Sequence, residues 1–169
     1  SGVDWRSEQD YANFGTAETA DIAWEWLRRD SEYQQEFRNL TAAERSSGMT
    51  HQFRNKWGLF FAADPEKAFD RQAIFWAPEA LSTVLALREA DASSETGHYD
   101  LDWTTLAGGE LRHGLDGWHA IVPLAGSIHR LYLPAMPARG SPLSVALPLD
   151  ANFDIRLQAA HRFWSAIEG

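Results

Sequence analysis

Several features that often reveal a protein's class are missing from this sequence. The 169-residue chain has no cysteine, which excludes a disulfide framework and thiolate chemistry. It has no uninterrupted run of about 18 apolar residues, so it predicts no transmembrane helix. No signal peptide opens the chain. We therefore expect a cytoplasmic protein that has no contact with membranes.

Lysine is almost absent, with only Lys56 and Lys67, and the formal net charge is −9. The acidic residues are spread along the chain, and no basic block interrupts them. A face that binds a DNA duplex needs clustered Lys and Arg to displace counterions from the phosphates. We therefore expect this chain to reach DNA only indirectly, through a partner.

Aromatic residues, by contrast, are plentiful, with eight Trp and nine Phe in a chain that is 44% hydrophobic. That composition is typical of a globular protein. The order of patterns predicts an α+β fold with an N-terminal helical bundle, a small antiparallel β-sheet that contains a hairpin, and a C-terminal amphipathic helix. The predicted boundaries are 3–80 for the helical domain, 81–149 for the β region and 150–169 for the closing helix.

Helix signals fill residues 16–57. The segment TAETADIAWEWLRR has apolar residues at helical spacing, acidic residues early and arginines late, which suits the helix dipole. Two capping boxes follow, and each predicts a helix start. They are Ser31 with Gln34 and Thr41 with Glu44. Gly58 is a predicted C-cap, and Asp64-Pro65 predicts a new helical turn.

The β region contains one clear hairpin, GWHAIVPLAGSIHRLYLP, between the strand segments STVLALRE and SPLSVALPL. With Ala125-Gly126 as a two-residue turn, alternate residues share a sheet face. One face holds Trp118, Ala120, Val122, His129, Leu131 and Leu133, and we expect it to be the core face, apart from His129. The other face holds His119, Ile121, Arg130 and Tyr132.

The closing helix begins after Asp150, a plausible N-cap. A stripe at 4-3-4-3 spacing predicts its core face. The stripe consists of Phe153, Leu157, Ala160, Trp164 and Ile167. Arg156 and Arg162 lie off it. They are candidates for a border with DNA, although ordinary solvated arginines are the simpler interpretation.

Catalytic and metal-binding patterns are absent. The histidines form no H-x-x-x-H or H-x-H pair, and the hairpin register puts His119 and His129 on opposite faces. Ser127 lacks a G-x-S-x-G elbow and is explained by the hairpin turn. Asp100 and Asp102 alternate as a solvated strand edge would. We therefore expect no metal, no cofactor and no enzymatic activity.

Aromatic and basic residues crowd the N-terminal part of the chain. Trp24 and Trp26 cannot share a helix face, since side chains at i and i+2 point apart. One interpretation buries the helix on two sides within this chain. The other makes the region a docking surface, because exposed Trp anchors interfaces. The candidate docking residues are Trp5, Tyr11, Trp24, Trp26, Arg28 and Arg29.

Longer segments carry a family resemblance. They are DWRSEQDYANFGTAETADIAWEWLRRDSEYQQEF at residues 4–37, then KWGLFFAADPEKAF, FWAPE, HRLYLP and PLSVALPLDANFDIRLQAAHRFW. The first resembles the N-terminal transcriptional regulator-like domain of proteobacterial proteins, and the next two look like its continuation. The last two look like the stretch that leads into a partner domain, a helix-turn-helix variant.

The resemblance implies a role in transcription, often in regulators that switch on excision and transfer of integrative conjugative elements. In such proteins the helix-turn-helix domain contacts DNA and the N-terminal domain packs against it, in cis or in trans. The chain opens Ser1-Gly2 without Met, which is typical of a tag remnant. We therefore expect a chain cut or processed at one end or both, with the closing helix leading into an absent helix-turn-helix domain; a natural stop at Gly169 is the alternative.

Three functional hypotheses follow. The first is a non-enzymatic regulatory module that docks on a helix-turn-helix domain. The second is a small-molecule sensor with a pocket in the β region, lined by Trp103, Trp118, His119 and Tyr132. The third is an enzyme, for which the sequence offers no convergent set of acid, base or nucleophile.

Overall fold

The computed structural model describes residues 19–90, 109–138 and 140–168. Five helices and five strands lie within these ranges, in the order helices, strands, helix. The predicted α+β class is confirmed. Contacts divide the chain into two compact units, with the division between Ile74 and Phe75.

The first unit contains four short helices, α1 Thr19–Leu27, α2 Ser31–Asn39, α3 Ala42–Ser46 and α4 His51–Trp57. Their caps follow the sequence closely. Thr41 and Glu44 form both halves of a capping box at α3, as predicted. Gly58 ends α4 with left-handed backbone, also as predicted.

Two local predictions in this unit need correction. The N-cap of α2 is Asp30, whose carboxylate accepts from the amides of Glu32 and Tyr33, and not Ser31. A carboxylate at the N-terminus also gains from the helix dipole. Pro65 begins a turn and not a helix. The Asp64 side chain accepts a hydrogen bond from the Glu66 amide, which stabilises the turn.

The core of the first unit is aromatic. Tyr33 lies at its centre and contacts the rings of Phe37, Phe53 and Trp57, with Trp24 edge-on. The Tyr33 hydroxyl donates to the Ala63 carbonyl (2.6 Å) and accepts from the Ala63 amide (2.9 Å). One side chain thus forms hydrogen bonds with both backbone groups of a buried loop residue. Buried backbone outside helices and strands needs such partners, because no neighbouring backbone supplies them.

The second unit is built on one sheet and one long helix. The strands are β1 Val84–Glu89, β2 Glu110–Gly114, β3 Gly117–Leu124, β4 Ser127–Leu133 and β5 Leu143–Ala146, and the helix is α5 Phe153–Glu168. The strand order is β2-β3-β4-β1-β5.

The sheet is mixed, which corrects the prediction of a purely antiparallel one. β1 runs parallel to β4, with Leu85 opposite Leu131, and antiparallel to β5. A two-residue turn forces β3 and β4 to be antiparallel, but β1 comes from much earlier in the chain. No short turn fixes its direction, and a long connection permits a parallel pair.

The predicted hairpin register is confirmed residue by residue. Val122 pairs with His129, Ala120 with Leu131 and Trp118 with Leu133. Ala125 and Gly126 have φ of 52° and 77°, the positive values of a type I′ turn, whose twist suits a hairpin.

Both faces of this hairpin are substantially buried. On the core face, Ala120, Val122, Leu131 and Leu133 join a cluster with residues of β1 and α5. The expected exception of His129 is wrong: it is buried on this face against the ring of Phe163 (5.6 Å between centroids), with its Nε2 atom 3.2 Å from the Leu124 carbonyl oxygen. On the opposite face His119 is buried, stacked on Tyr132 and edge-on to Phe75.

Helix α5 packs on the sheet through a stripe that only partly matches the predicted one, since Ala160 and Ile167 pack against the core cluster but Leu157 and Trp164 do not belong to it. Its buried residues are Arg156, Ala159 and Phe163, whereas Leu157 and Trp164 are close to half exposed. Arg156 turns inward because the carboxylate of Asp150, just before the helix, accepts from its guanidinium (2.9 Å). The Pro78 carbonyl accepts a further hydrogen bond. The helix is therefore rotated about its axis relative to the apolar stripe.

Candidate docking surface on the first helix

Helix α1 presents two tryptophans to opposite environments. Trp24 has 0% of its surface exposed, whereas Trp26 has 68% exposed. Residues two apart on a helix point in different directions, so one helix delivers one ring to the core and the other to solvent. The sequence predicted this separation and left open whether the second ring is buried within the chain or exposed; the exposed ring of Trp26 contradicts burial on two sides.

Trp24 is a structural residue. Its indole nitrogen donates to the Lys67 carbonyl at 3.0 Å, and its ring lies edge-on to Tyr33 at 5.8 Å between centroids. Edge-on aromatic pairs add about 0.5–1.5 kcal/mol beyond the area they bury. The folded first unit encloses this ring, so a partner cannot reach it.

The two arginines of the candidate set are engaged inside the unit. Glu25 is buried, and its carboxylate accepts from Arg28 (2.6 Å) and from the amide of Phe69 (3.2 Å). Arg29 contacts the same carboxylate at 3.3 Å. Arg28 also donates to the Pro65 carbonyl. A buried carboxylate needs such partners. Glu25 and Arg28 thus hold α1 to the 65–69 loop, and Arg29 adds a second positive charge beside Glu25.

The exposed face of α1 carries a neighbour that the sequence reasoning missed. Ile22 is 39% exposed and lies four residues before Trp26, one helical turn away. We name the pair Ile22 and Trp26 the α1 patch. Its signal in the sequence was an apolar i, i+4 pair lying off the Ala20–Trp24 stripe.

Other predicted residues fall elsewhere. Trp5 and Tyr11 lie outside the described residues, as does Trp103 of the proposed sensor pocket. The remaining pocket residues do not converge, since Trp118 lies on one sheet face and His119 and Tyr132 on the other. His119 contacts the Asp116 carboxylate at 3.0 Å, and Tyr132 donates to the Asp116 carbonyl.

The two arginines considered for DNA differ in exposure. Arg156 is 5% exposed and bonded to Asp150, so its charge is neutralised within the second unit. Arg162 is exposed on α5. Among the described residues, no histidine, aspartate or glutamate joins a group of three or more that could hold a metal ion.

A cleft of about 370 Å³ lies in the first unit. Its lining combines two arginines and two acids around an aromatic ring. These residues are Gln34, Phe37, Arg38, Arg45, Asp64, Pro65 and Glu66. The Arg45 guanidinium covers the Phe37 ring at 4.1 Å and donates to the Phe37 carbonyl. The ring is thus covered by the chain's own cation, which leaves the cleft mainly polar.

Comparison with known families places the candidate surface in context. Residues 4–62 match the family model of the proteobacterial transcriptional regulator-like domain. The matched segment contains the α1 patch and covers about one third of the chain, and it supports a role in regulation. No curated protein matches the chain. None of the helices in the described ranges has the length and apolar content to cross a membrane.

Proposed function

We propose that this chain is a non-enzymatic transcription regulatory module that works by protein–protein docking through the α1 patch. The observation that carries the proposal is the exposed ring of Trp26, two residues from a tryptophan that is fully enclosed. Tryptophan is among the residues most enriched at the centres of protein interfaces. The patch lies in the segment that matches a regulator-like family.

The proposed partner is a helix-turn-helix DNA-binding domain, in cis or in trans, and the proposed setting is the control of mobile-element transfer. Charge supports this choice. A domain that binds DNA presents Lys and Arg, whereas this chain carries a net charge of −9. Complementary charge of this kind accelerates association and disfavours wrong partners.

The test compares transcription and DNA binding with and without the patch. Fluorescence anisotropy at low salt would measure protein binding to labelled promoter DNA from the chain's own gene region. The 169-residue chain should leave the DNA unbound, and the complete gene product, or the chain mixed with a neighbouring helix-turn-helix protein, should bind it. A promoter reporter should lose most of its response in Trp26→Ala.

The matched control is Leu115→Ala, an exposed apolar side chain in the second unit. It should leave the reporter unchanged. An unchanged response in Trp26→Ala, with the fold intact by circular dichroism, would contradict the proposal. So would tight, salt-dependent DNA binding by the 169-residue chain alone.

A further inference from the structure

A second apolar surface lies on α5, in the other unit. Leu157 is 46% exposed and Trp164 is 45% exposed. They are seven residues apart, which is about two helical turns, so they lie on one line along the helix. We name Leu157 and Trp164 the α5 shoulder.

The shoulder exists because α5 has more apolar surface than the sheet covers. Ala159 and Phe163 face the core cluster, with Ala160 and Ile167 packed at its margin. At 100° per residue, Leu157 lies about 110° around the helix from the mean direction of Arg156 and Phe163. The bonds of Arg156 to Asp150 and Pro78 hold the helix in this rotation.

The charges beside the shoulder have one sign. Asp154 and Glu168 lie within about 60° of Leu157 around the helix, one at each end, and His161 lies between them. Both arginines of α5 point elsewhere: Arg156 is bonded to Asp150, and Arg162 lies about 140° away from Leu157. The shoulder is therefore an apolar line with an acid at each end.

A second copy of this chain fits the shoulder poorly. Two α5 helices that packed antiparallel about His161 would place Asp154 of one copy opposite Glu168 of the other. A parallel pair would place each acid opposite itself. Both arrangements set like charges face to face, which is destabilising.

We propose that the α5 shoulder docks an amphipathic helix of a partner protein whose apolar line is flanked by Lys or Arg. Leu157 and Trp164 would pack against its apolar residues, and Asp154 and Glu168 would pair with its basic flanks. Helices bind apolar surfaces through residues at i, i+3, i+4 and i+7, which matches the two-turn spacing here. This inference goes beyond the proposed function, since it concerns another surface in another unit.

The experiment uses the full 169-residue chain and two synthetic peptides. Each has about 18 residues, long enough for helix formation, with Leu at helical spacing. One carries Lys at the flanking positions and the other Glu. Fluorescence anisotropy of the labelled Lys peptide should show binding, and Leu157→Ser/Trp164→Ser should weaken it about tenfold or more. The Glu peptide should not bind.

A charge exchange keeps the test decisive if the serine variant unfolds. Asp154→Lys/Glu168→Lys should no longer bind the Lys peptide and should bind the Glu peptide. Glu66→Lys/Asp70→Lys makes the same charge change at exposed positions in the first unit and should leave the preference for Lys intact. This control separates local pairing from attraction to the net charge.

Three outcomes would overturn the inference. The Lys peptide could bind all variants equally, or the charge exchange could fail to switch the preference. Alternatively, sedimentation could show a dimer that Leu157→Ser/Trp164→Ser dissociates, which would make the occupant a second copy. Trp26→Ser should not affect peptide binding, so failure here is distinguishable from failure of the proposed function.

Discussion

The two units of this chain hold their cores together by different means. In the first, aromatic rings carry polar tips that bond to irregular backbone, as Tyr33 does with Ala63 and Trp24 with Lys67. In the second, mainly aliphatic side chains from β1, β3, β4 and α5 meet in one cluster, which includes Leu85, Leu131 and Leu133. Strand hydrogen bonds satisfy the backbone there, so the cluster itself is apolar, although His129 is buried beside it.

The contrast shows what short helices require. Helices of five to nine residues, such as those of the first unit, satisfy little of the backbone that connects them. Side chains that are apolar along their length and polar at the tip can fill the core and satisfy a loop together. A sheet satisfies most of its own backbone, so its core depends mainly on apolar packing. Side-chain polar atoms should therefore matter more in the first unit.

The largest expected effect comes from Trp24→Ala. It removes a fully enclosed ring and one of the two donors to the Lys67 carbonyl, the other being the Gln72 amide, so the free energy of unfolding should fall by about 3–5 kcal/mol. Trp26→Ala should change it by less than about 0.5 kcal/mol, because that ring is exposed. Urea denaturation checks both; equal losses would contradict the assignment of one ring to the core and one to the surface.

In the second unit we expect the most destabilising substitution to be at a glycine. Gly117 has φ +141°, and a Cβ there would lie 2.5 Å from the Leu133 carbonyl oxygen. Gly117→Ala should therefore cost about 2–5 kcal/mol. Gly126→Ala meets nothing within 4 Å and should cost about 1–2 kcal/mol, the strain of left-handed backbone. Thermal melts would compare them, and similar losses would refute the close approach at Gly117.

Tyr33→Phe tests how much the polar atoms of the aromatic side chains contribute to the stability of the first unit. It leaves both buried backbone groups of Ala63 unsatisfied and should cost about 1–3 kcal/mol. Burial also raises the pKa of the Tyr33 phenol well above its ordinary value. Its contribution is fully present below about pH 10 and is lost as pH rises above that. Between pH 8 and 12, the free energy of unfolding should fall less steeply with pH in the variant than in the unsubstituted chain. Identical dependence on pH would show that the Tyr33 hydroxyl does not contribute in this way.

A smaller effect is expected at the start of α5. Arg156→Ala should cost about 1–2 kcal/mol, and Arg162→Ala almost nothing. Hydrogen bonds from Arg156 lower the pKa of the Asp150 carboxyl. That stabilisation is present above about pH 4 and is lost as pH falls through the lowered pKa. The difference in free energy of unfolding between the two variants should therefore decrease in acid. A difference that persists at pH 2 would argue against the ion pair of Arg156 with Asp150.

Local patterns predicted the helices, four of the five strands and the whole hairpin register, because caps, turns and alternation act over a few residues. The strand β2 was not predicted, since its five residues ELRHG carry little apolar alternation. The parallel pairing of β1 with β4 was out of reach, since it joins segments that no short turn connects. The rotation of α5 was missed for a related reason. Its apolar residues cover a wider arc than the sheet buries, and the buried part is centred on Ala159 and Phe163, with Arg156 bonded to Asp150 and Pro78 on the same side.

The candidate surface was half predictable. Helical geometry separates Trp24 from Trp26, but only packing decides that Trp24 reaches Lys67 and Tyr33. Arg28 and Arg29 looked available for a partner. Their engagement with Glu25 depends on how deeply α1 is buried on that side, which the sequence does not encode locally.

The most direct test of the central claim is a calorimetric titration. The helix-turn-helix domain, from the complete gene product or a neighbouring gene, is added to the 169-residue chain and to Trp26→Ala. We expect the chain to bind the domain and the variant to lose about tenfold or more in affinity. Equal affinity for the two, with both folded, would show that the α1 patch is not the docking surface.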